Sequence, residues 1–136
     1  TRCAYESQFV DSNFHFVLNM KTGNVTRRES EILIGKCNWI GNRTSITKGS
    51  KTKDFSIICA GSLMNKDYTQ NEENFIMLGG SPAKVLTSGL KRIFSTEIEK
   101  DIIYFFNNNP KANNYNLTSE LSDDFKDIHY WFEHMM

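Results

Sequence analysis

The chain contains three histidines, whose ordinary pKa of about 6.5 suits the imidazole to take up a proton near neutral pH. His129 and His134 lie in the C-terminal tail, whereas His15 lies near the start of the chain, just after Asp11 and Asn13. These two polar side chains could hold an imidazole in one tautomer. They could equally be turn residues that cap backbone N–H groups. A histidine by itself is often structural, so the elements around His15 have to decide its role.

Beyond His15, aliphatic side chains recur at every sixth position, a spacing that fits neither an α-helix nor an alternating β-strand. The positions of this series are Ile34, Ile40, Ile46, Thr52, Ile58 and Met64. Small polar residues lie two positions before members of the series, at Asn38, Thr44, Ser50, Ser56 and Ser62. Residues two apart in an extended strand point to the same side, so both series are predicted to point inward. The pattern predicts an all-β solenoid, in which short strands alternate with tight corners.

The composition narrows the expected partners and location. The formal charge is zero, with 16 basic and 16 acidic residues, so we expect neither nucleic acid nor an anionic membrane surface as a partner. No apolar run is long enough for a membrane span and the first residues lack the apolar segment of a secretion signal, which predicts a cytoplasmic protein. Cys3, Cys37 and Cys59 are odd in number and far apart, which favours reduced thiols over a disulfide framework or a metal site.

The hexad pattern divides the chain into two predicted parts. Residues 1–88 contain the repeat, and residues 89–136 form a C-terminal helical extension. The chain starts on Thr1 and runs almost at once into strand-like sequence, so we expect residues 1–88 to be the C-terminal part of a longer solenoid.

Helical signals appear only in the extension. Thr96 followed by Glu99 has the form of a capping box and predicts a helix over residues 96–107, which Pro110 ends. Residues 119–136 carry apolar side chains at helical spacing. We expect this second stretch to pack on the solenoid, with docking of a partner as the alternative.

Three motifs in the repeat region resemble those of one enzyme family. They are WIG at 39–41, CAGSLMNKD at 59–67 and GSPAK at 80–84. Together, and in this order, they are similar to motifs of the hexapeptide-repeat acyltransferases, and the match covers roughly residues 8–88. The resemblance implies a left-handed parallel β-helix, a homotrimer with active sites between neighbouring subunits, and acetyl transfer from acetyl-CoA, with a sugar hydroxyl as the first expected acceptor.

The resemblance also implies roles for individual residues. His15 would be the general base that takes the proton of the acceptor as the acceptor attacks acetyl-CoA directly, without a covalent enzyme intermediate. Asp11 and Asn13 would contact the acceptor. Trp39 would be a wall of the acceptor pocket or, alternatively, a core residue.

For acetyl-CoA, the resemblance points to six positions: Asn42, Ala60, Asn65, Lys66, Pro82 and Lys84. Asn42 and Ala60 are one coil apart, so their backbone groups would lie side by side and bind the pantetheine arm. Lys66 and Lys84 would meet the phosphates, unless they are ordinary solvated surface lysines.

Other functions remain open from the residues alone. A γ-type carbonic anhydrase needs three histidine ligands, and the repeat region offers only His15. A non-catalytic hexapeptide-repeat scaffold would keep the hexads but would need neither His15 nor the GSPAK segment. An amino sugar, an amino acid such as serine, and a xenobiotic are alternative acceptors.

Overall fold

A computed structural model describes residues 1–117, in which the chain divides into two units. The first unit ends at Arg92 and the second begins at Ile93. The predicted second helical stretch, His129 and His134 lie outside the described residues. No helix in the described part of the chain is long and apolar enough to cross a membrane.

Short parallel strands build the first unit. In chain order they are β1 (Arg2–Cys3), β2 (Gln8–Val10), β3 (Trp39–Ile40), β4 (Ser45–Thr47), β5 (Ile57–Ile58), β6 (Leu63–Met64), β7 (Met77–Gly80) and β8 (Ala83–Thr87). One sheet has the order β1-β3-β5-β7-β8 and the other has the order β2-β4-β6. All pairings are parallel except that of β7 with β8, which is antiparallel.

The strand register shows how the chain returns to each sheet. Trp39 pairs with Ile57, and Ser45 pairs with Leu63, so both pairs are 18 residues apart. Parallel bridges link Leu33, Lys51 and Asp67 on a third side. The chain therefore visits three sides in turn and comes back after three hexads. The parallel sheets confirm that part of the predicted fold.

The core confirms that both hexad series point inward. Ile40, Ile46, Ile58 and Met64 are at most 1% exposed, and Ile34 packs against them. The small polar residues at the alternate positions are buried as well. Thr52, the member of the series that is not aliphatic, is buried because its hydroxyl donates to Asn38 Oδ1 at 2.7 Å.

The small polar residues close the corners of the coil. Four of them donate from the side chain to the backbone carbonyl three residues earlier: Asn38, Thr44, Ser56 and Ser62. The residue just before each small polar position has a positive φ between 54° and 77°, namely Cys37, Arg43, Gly49, Phe55 and Gly61. A left-handed residue followed by a short side chain that satisfies a carbonyl thus recurs at every sixth position, which accounts for the period.

One coil carries a long insertion. Phe9 pairs with Ile46, 37 residues further on, which is 19 residues more than one coil of 18. The extra chain, residues 11–31, forms an arm whose two limbs meet through antiparallel bridges between Ser12 and Glu29 and between Leu18 and Val25.

The second unit begins close to the predicted helix. Helix α1 runs over Thr96–Asn108, which confirms the helix predicted for residues 96–107. The predicted capping box is wrong by one residue, because Ser95 is the N-cap and its hydroxyl accepts from Ile98 N at 3.2 Å. Ser95 has the extended backbone that an N-cap needs, whereas Thr96 is already helical.

Candidate functional site

His15 lies on the arm, in a tight turn near its base. Its backbone N–H donates to Asn13 O at 2.7 Å, and its side chain is exposed. Within residues 1–117, no hydrogen bond or ion pair involves the imidazole. The ring is therefore accessible to a bound molecule.

Asp11 and Asn13 help to hold the base of the arm through their backbone groups. Ser30 N donates to Asp11 O at 3.0 Å, and Asn13 N donates to Arg28 O at 2.9 Å. Both side chains are exposed. This arrangement agrees with a turn role for the two backbones and leaves both side chains accessible.

The arm is anchored to the coil beside it. Lys48 Nζ donates to Arg27 O at 2.6 Å, and Gly49 N donates to Ser30 O at 3.3 Å. These contacts fix one limb of the arm to the corner that comes after β4, so the turn that carries His15 has a defined origin on the coil.

Trp39 is a surface residue, so the alternative that it is a core residue is wrong. The ring is 44% exposed, while its neighbour Ile40 points into the core. The Arg92 guanidinium carbon lies 5.6 Å from the Trp39 ring centroid, a cation–π distance. Strand alternation puts the indole on the outside of β3, where it is accessible.

Asn42 and Ala60 lie in neighbouring coils, as their one-coil spacing predicts. Gly61 N donates to Asn42 O at 2.9 Å. A Cβ atom added to Gly41 would lie 2.5 Å from Ala60 N, so the glycine permits the close approach of the two coils. The backbone at these positions forms one continuous strip.

Lys66 and Lys84 line one cavity of about 210 Å³, together with Asp67, Tyr68, Asn71 and Val85. Two ammonium groups against one carboxylate leave this cavity with a formal charge of one positive. Asn65 is exposed next to Lys66 in sequence. The structure thus brings the two predicted phosphate-binding lysines together.

Tyr68 and Asp67 shape the electrostatics of this cavity. Burial raises the pKa of Tyr68, whose hydroxyl donates to Ala83 O at 2.9 Å. The hydroxyl and the N–H of Thr69 donate to the carboxylate and hold the pKa of Asp67 below its usual range. The Lys66 ammonium lies 5.5 Å from the Tyr68 ring centroid.

The GSPAK segment is the turn that joins β7 to β8. Pro82 comes after a cis peptide bond with Ser81 and is exposed, whereas Ala83 is fully buried. Lys84 is exposed on β8, opposite Gly79. The segment thus carries Lys84 to the cavity and anchors it with the buried Ala83.

The three cysteines are free, which confirms the prediction of reduced thiols. Cys37 is buried, and desolvation raises the pKa of its thiol. Among residues 1–117, no group of three His, Cys, Asp or Glu side chains is placed to hold a metal ion.

Three residues of these surfaces were not singled out from the sequence: Arg28, Tyr68 and Arg92. Nothing local marks Arg28 or Arg92, because their contacts depend on how the arm folds and on the path of the chain after β8. Tyr68 comes directly after the CAGSLMNKD motif, and its position one residue after Asp67 was a usable signal.

Solved structures share the fold of this chain. The polysialic-acid-specific acetyltransferase NeuO matches with a TM-score of 0.58 and 20% sequence identity, covering 75% of this chain and 48% of that one. The polysialic acid O-acetyltransferase OatWY matches with a TM-score of 0.56 and 20% identity, covering 76% of this chain and 49% of that one. This chain thus spans about half the length of either structure.

No protein-family model and no curated protein sequence matches the chain. At 20% identity the two structures establish the likeness of the fold. The predicted resemblance to the hexapeptide-repeat sugar O-acetyltransferases is confirmed at that level.

Proposed function

We propose that this protein is an O-acetyltransferase built on a left-handed parallel β-helix, which comprises residues 1–88 as the C-terminal part of a longer solenoid, with a helical extension over residues 89–136. It transfers an acetyl group from acetyl-CoA to a sugar hydroxyl. The observation that carries this proposal is the exposed His15 on an arm of a coil whose fold is shared with two O-acetyltransferases.

His15 acts as the general base in this reaction. Its imidazole takes the proton of the acceptor hydroxyl as the oxygen attacks the thioester carbonyl. The new C–O bond forms, the C–S bond breaks, and the CoA sulfur leaves as a thiolate that takes up a proton. The exposure of the imidazole supports this role, because the ring must reach a bound acceptor.

Acetyl-CoA supplies the activated acetyl group and is held by two surfaces of the coil. The backbone strip at Asn42 and Ala60 binds the amide-rich pantetheine arm. The cavity lined by Lys66 and Lys84 takes the phosphates, with Asn65 and Pro82 beside it. The fit rests on donor chemistry, because paired ammonium groups suit phosphate oxygens.

The acceptor is a sugar. NeuO and OatWY act on polysialic acid, so a sialic-acid polymer is the first candidate and other polysaccharide precursors come next. Asp11, Asn13 and Trp39 contact the acceptor through their exposed side chains. An aromatic face at Trp39 suits the apolar face of a sugar ring.

The protein acts as a homotrimer in the cytoplasm, where acetyl-CoA is available and thiols stay reduced. The arm supports the oligomer, because it exposes a set of large apolar side chains: Phe14, Phe16, Val17, Leu18, Met20 and Val25. Such a concentration of exposed apolar surface is typical of an interface.

A thiol-release assay tests the proposal. The intact protein is mixed with acetyl-CoA and a panel that contains polysialic acid, other sugars, nucleotide sugars, serine and a xenobiotic amine, while calorimetry measures CoA binding. We expect CoA binding together with thiol release that depends on a sugar. If the protein does not bind CoA, a non-catalytic hexapeptide-repeat scaffold is favoured instead.

A further inference from the structure

Arg28 contacts both residues that flank His15. Its guanidinium Nη1 donates to Phe14 O at 3.3 Å. Its Cζ lies 4.7 Å from the centroid of the Phe16 ring, which places the cation over the aromatic face. Arg28 is half-buried, whereas the residues around it on the arm are exposed. One side chain thus holds the chain immediately before and immediately after the histidine.

The turn held by Arg28 has an uncommon backbone conformation. Phe14 has a φ of 63°, and it is the central residue of a three-residue turn closed by the hydrogen bond from His15 N to Asn13 O. Ser12 Oγ accepts from Phe14 N at 3.0 Å. A bulky residue with positive φ is rare and persists only where its surroundings hold it there. The turn therefore needs contacts from outside itself.

The opposite limb of the arm supplies those contacts. Arg28 O accepts from Asn13 N at 2.9 Å, so the backbone of Arg28 is paired with the turn that its side chain grips. The Glu29 carboxylate lies 3.5 Å from Nη2 and holds the other edge of the guanidinium. The fork is thus oriented on one side by a carboxylate and on the other by a carbonyl and an aromatic ring.

We propose that Arg28 is a positioning residue for His15, which fixes the direction of the imidazole by clamping Phe14 and Phe16. This inference rests on the proposed function, in which His15 is the base. The guanidinium is suited to the task because its planar fork can donate to a carbonyl and stack on an aromatic face at once. An ammonium group offers a single point charge, so lysine can keep only one of the two contacts.

The kinetic test compares Arg28→Met and Arg28→Lys with Arg27→Met as the matched control. The Arg27 side chain makes no hydrogen bond or ion pair within the described residues. Arg28→Met is expected to lower kcat by about 10-fold or more with KM for acetyl-CoA unchanged, because small misplacements of a catalytic group are costly. Arg28→Lys is expected to restore part of the rate, and Arg27→Met to match the wild type.

A second readout does not depend on activity. In protein labelled at the histidine rings, the His15 resonances, assigned with a His15→Gln variant, are expected to be sharp in the wild type and in Arg27→Met. They are expected to broaden or shift in Arg28→Met. Phe16→Leu, which removes the aromatic face but keeps an apolar side chain, is expected to give the same change. Melting temperatures measured alongside identify any variant that has lost its fold.

The two readouts separate the failure of this inference from failure of the proposed function. If wild-type protein releases no thiol but Arg28→Met alters the His15 resonances, the clamp stands and the enzymatic role falls. If Arg28→Met matches Arg27→Met in both kcat and His15 resonances, Arg28 does not position His15 and the inference is overturned.

Discussion

Single side chains decide where the coil turns. At each corner a residue with positive φ precedes a small polar side chain, and in four cases that side chain donates to the carbonyl three residues earlier. The exception is Ser50, whose buried hydroxyl has no hydrogen-bond partner among residues 1–117. A buried hydroxyl is favourable only when it is paired. The corners therefore differ in what their polar side chains contribute to stability.

The same substitution at two corners measures this difference. Ser56→Ala removes the hydrogen bond from Ser56 Oγ to Lys53 O at 2.8 Å and is expected to lower the free energy of unfolding by about 1 kcal/mol. Ser50→Ala removes the unpaired hydroxyl of that corner and is expected to leave stability unchanged or to raise it. Denaturant unfolding of both variants makes the comparison. Equal losses would show that the corner hydrogen bonds do not contribute to stability.

The Asp67 carboxylate gives a pH-dependent prediction. Hydrogen bonds from Thr69 lower its pKa in the folded protein, so its ionised form contributes stability above the pKa of the unfolded chain. That contribution is lost as the pH falls through the folded pKa. Thr69→Val keeps the shape and the N–H but removes the hydroxyl donor, so the pKa of Asp67 is expected to rise.

Carboxyl NMR titration measures that pKa, and denaturant unfolding measures the effect on stability. Thr69→Val is expected to be less stable than the wild type at pH 7, and the difference is expected to shrink as the pH falls below about 3.9, the ordinary pKa of an aspartate. An unchanged Asp67 pKa in the variant would contradict the assigned cause of the shift.

At the scale of elements, the repeat was predictable because its cause is local. Every hexad carries its own turn and its own inward residue, so the series from Ile34 to Met64 contains the whole pattern. The arm was not predictable in the same way. Its limbs pair across distances of up to 17 residues, between Ser12 and Glu29, and no periodic signal marks such contacts. For the same reason the contact of Arg28 with Phe16 was visible only in the folded arm.

The start of helix α1 shows how a local pattern can be misread by one residue. Ser95 and Thr96 can both cap a helix, and the Glu at position 99 favoured Thr96 in the sequence. The structure uses Ser95, whose extended backbone lets its hydroxyl accept from Ile98 N. The choice depends on the path of the chain before the helix, which the capping pattern does not contain.

Alanine substitutions at these two positions test the cap. Ser95→Ala is expected to destabilise the helix by about 1 kcal/mol, because it leaves a helix N–H without its acceptor. Thr96→Ala, the matched control, is expected to have little effect, since alanine is a strong helix former. Amide hydrogen exchange at Ile98 and Glu99 reports the difference. Faster exchange in Thr96→Ala than in Ser95→Ala would identify Thr96 as the cap.

At the scale of the whole molecule, the coil separates two tasks. Its stack of aliphatic residues is internal, so the corners and the arm can carry exposed functional groups without disturbing the core. The proposed base lies on the arm, and the proposed cofactor contacts lie on the coil and on the β7–β8 turn. In the proposed homotrimer, the apolar side chains of the arm are covered by a neighbouring subunit.

Charge placed on the arm tests this assembly. Met20 is 90% exposed, so Met20→Asp is expected to leave the fold intact while introducing a charge into the apolar surface and weakening the trimer. Asn24→Asp, at the polar tip of the same arm, is the control and is expected to remain trimeric. Sedimentation at micromolar concentration measures the species. Wild-type protein that sediments as a clean monomer would contradict the proposed assembly.

The account depends most on His15, so its substitution is the most direct test. His15→Ala is expected to lower kcat by about 100-fold or more, the usual contribution of acid–base catalysis, while CoA affinity and the trimer persist. Neither the lysines of the cavity nor the aliphatic core contacts the imidazole, so binding and folding should be unaffected. His134→Ala in the tail serves as the control.

Thiol release with the identified acceptor provides kcat, and calorimetry provides the CoA affinity. Loss of turnover in His15→Ala with both CoA binding and assembly retained is the result that the account predicts. A folded His15→Ala variant with full activity would contradict it and would place the base elsewhere, with Asp11 as the next candidate.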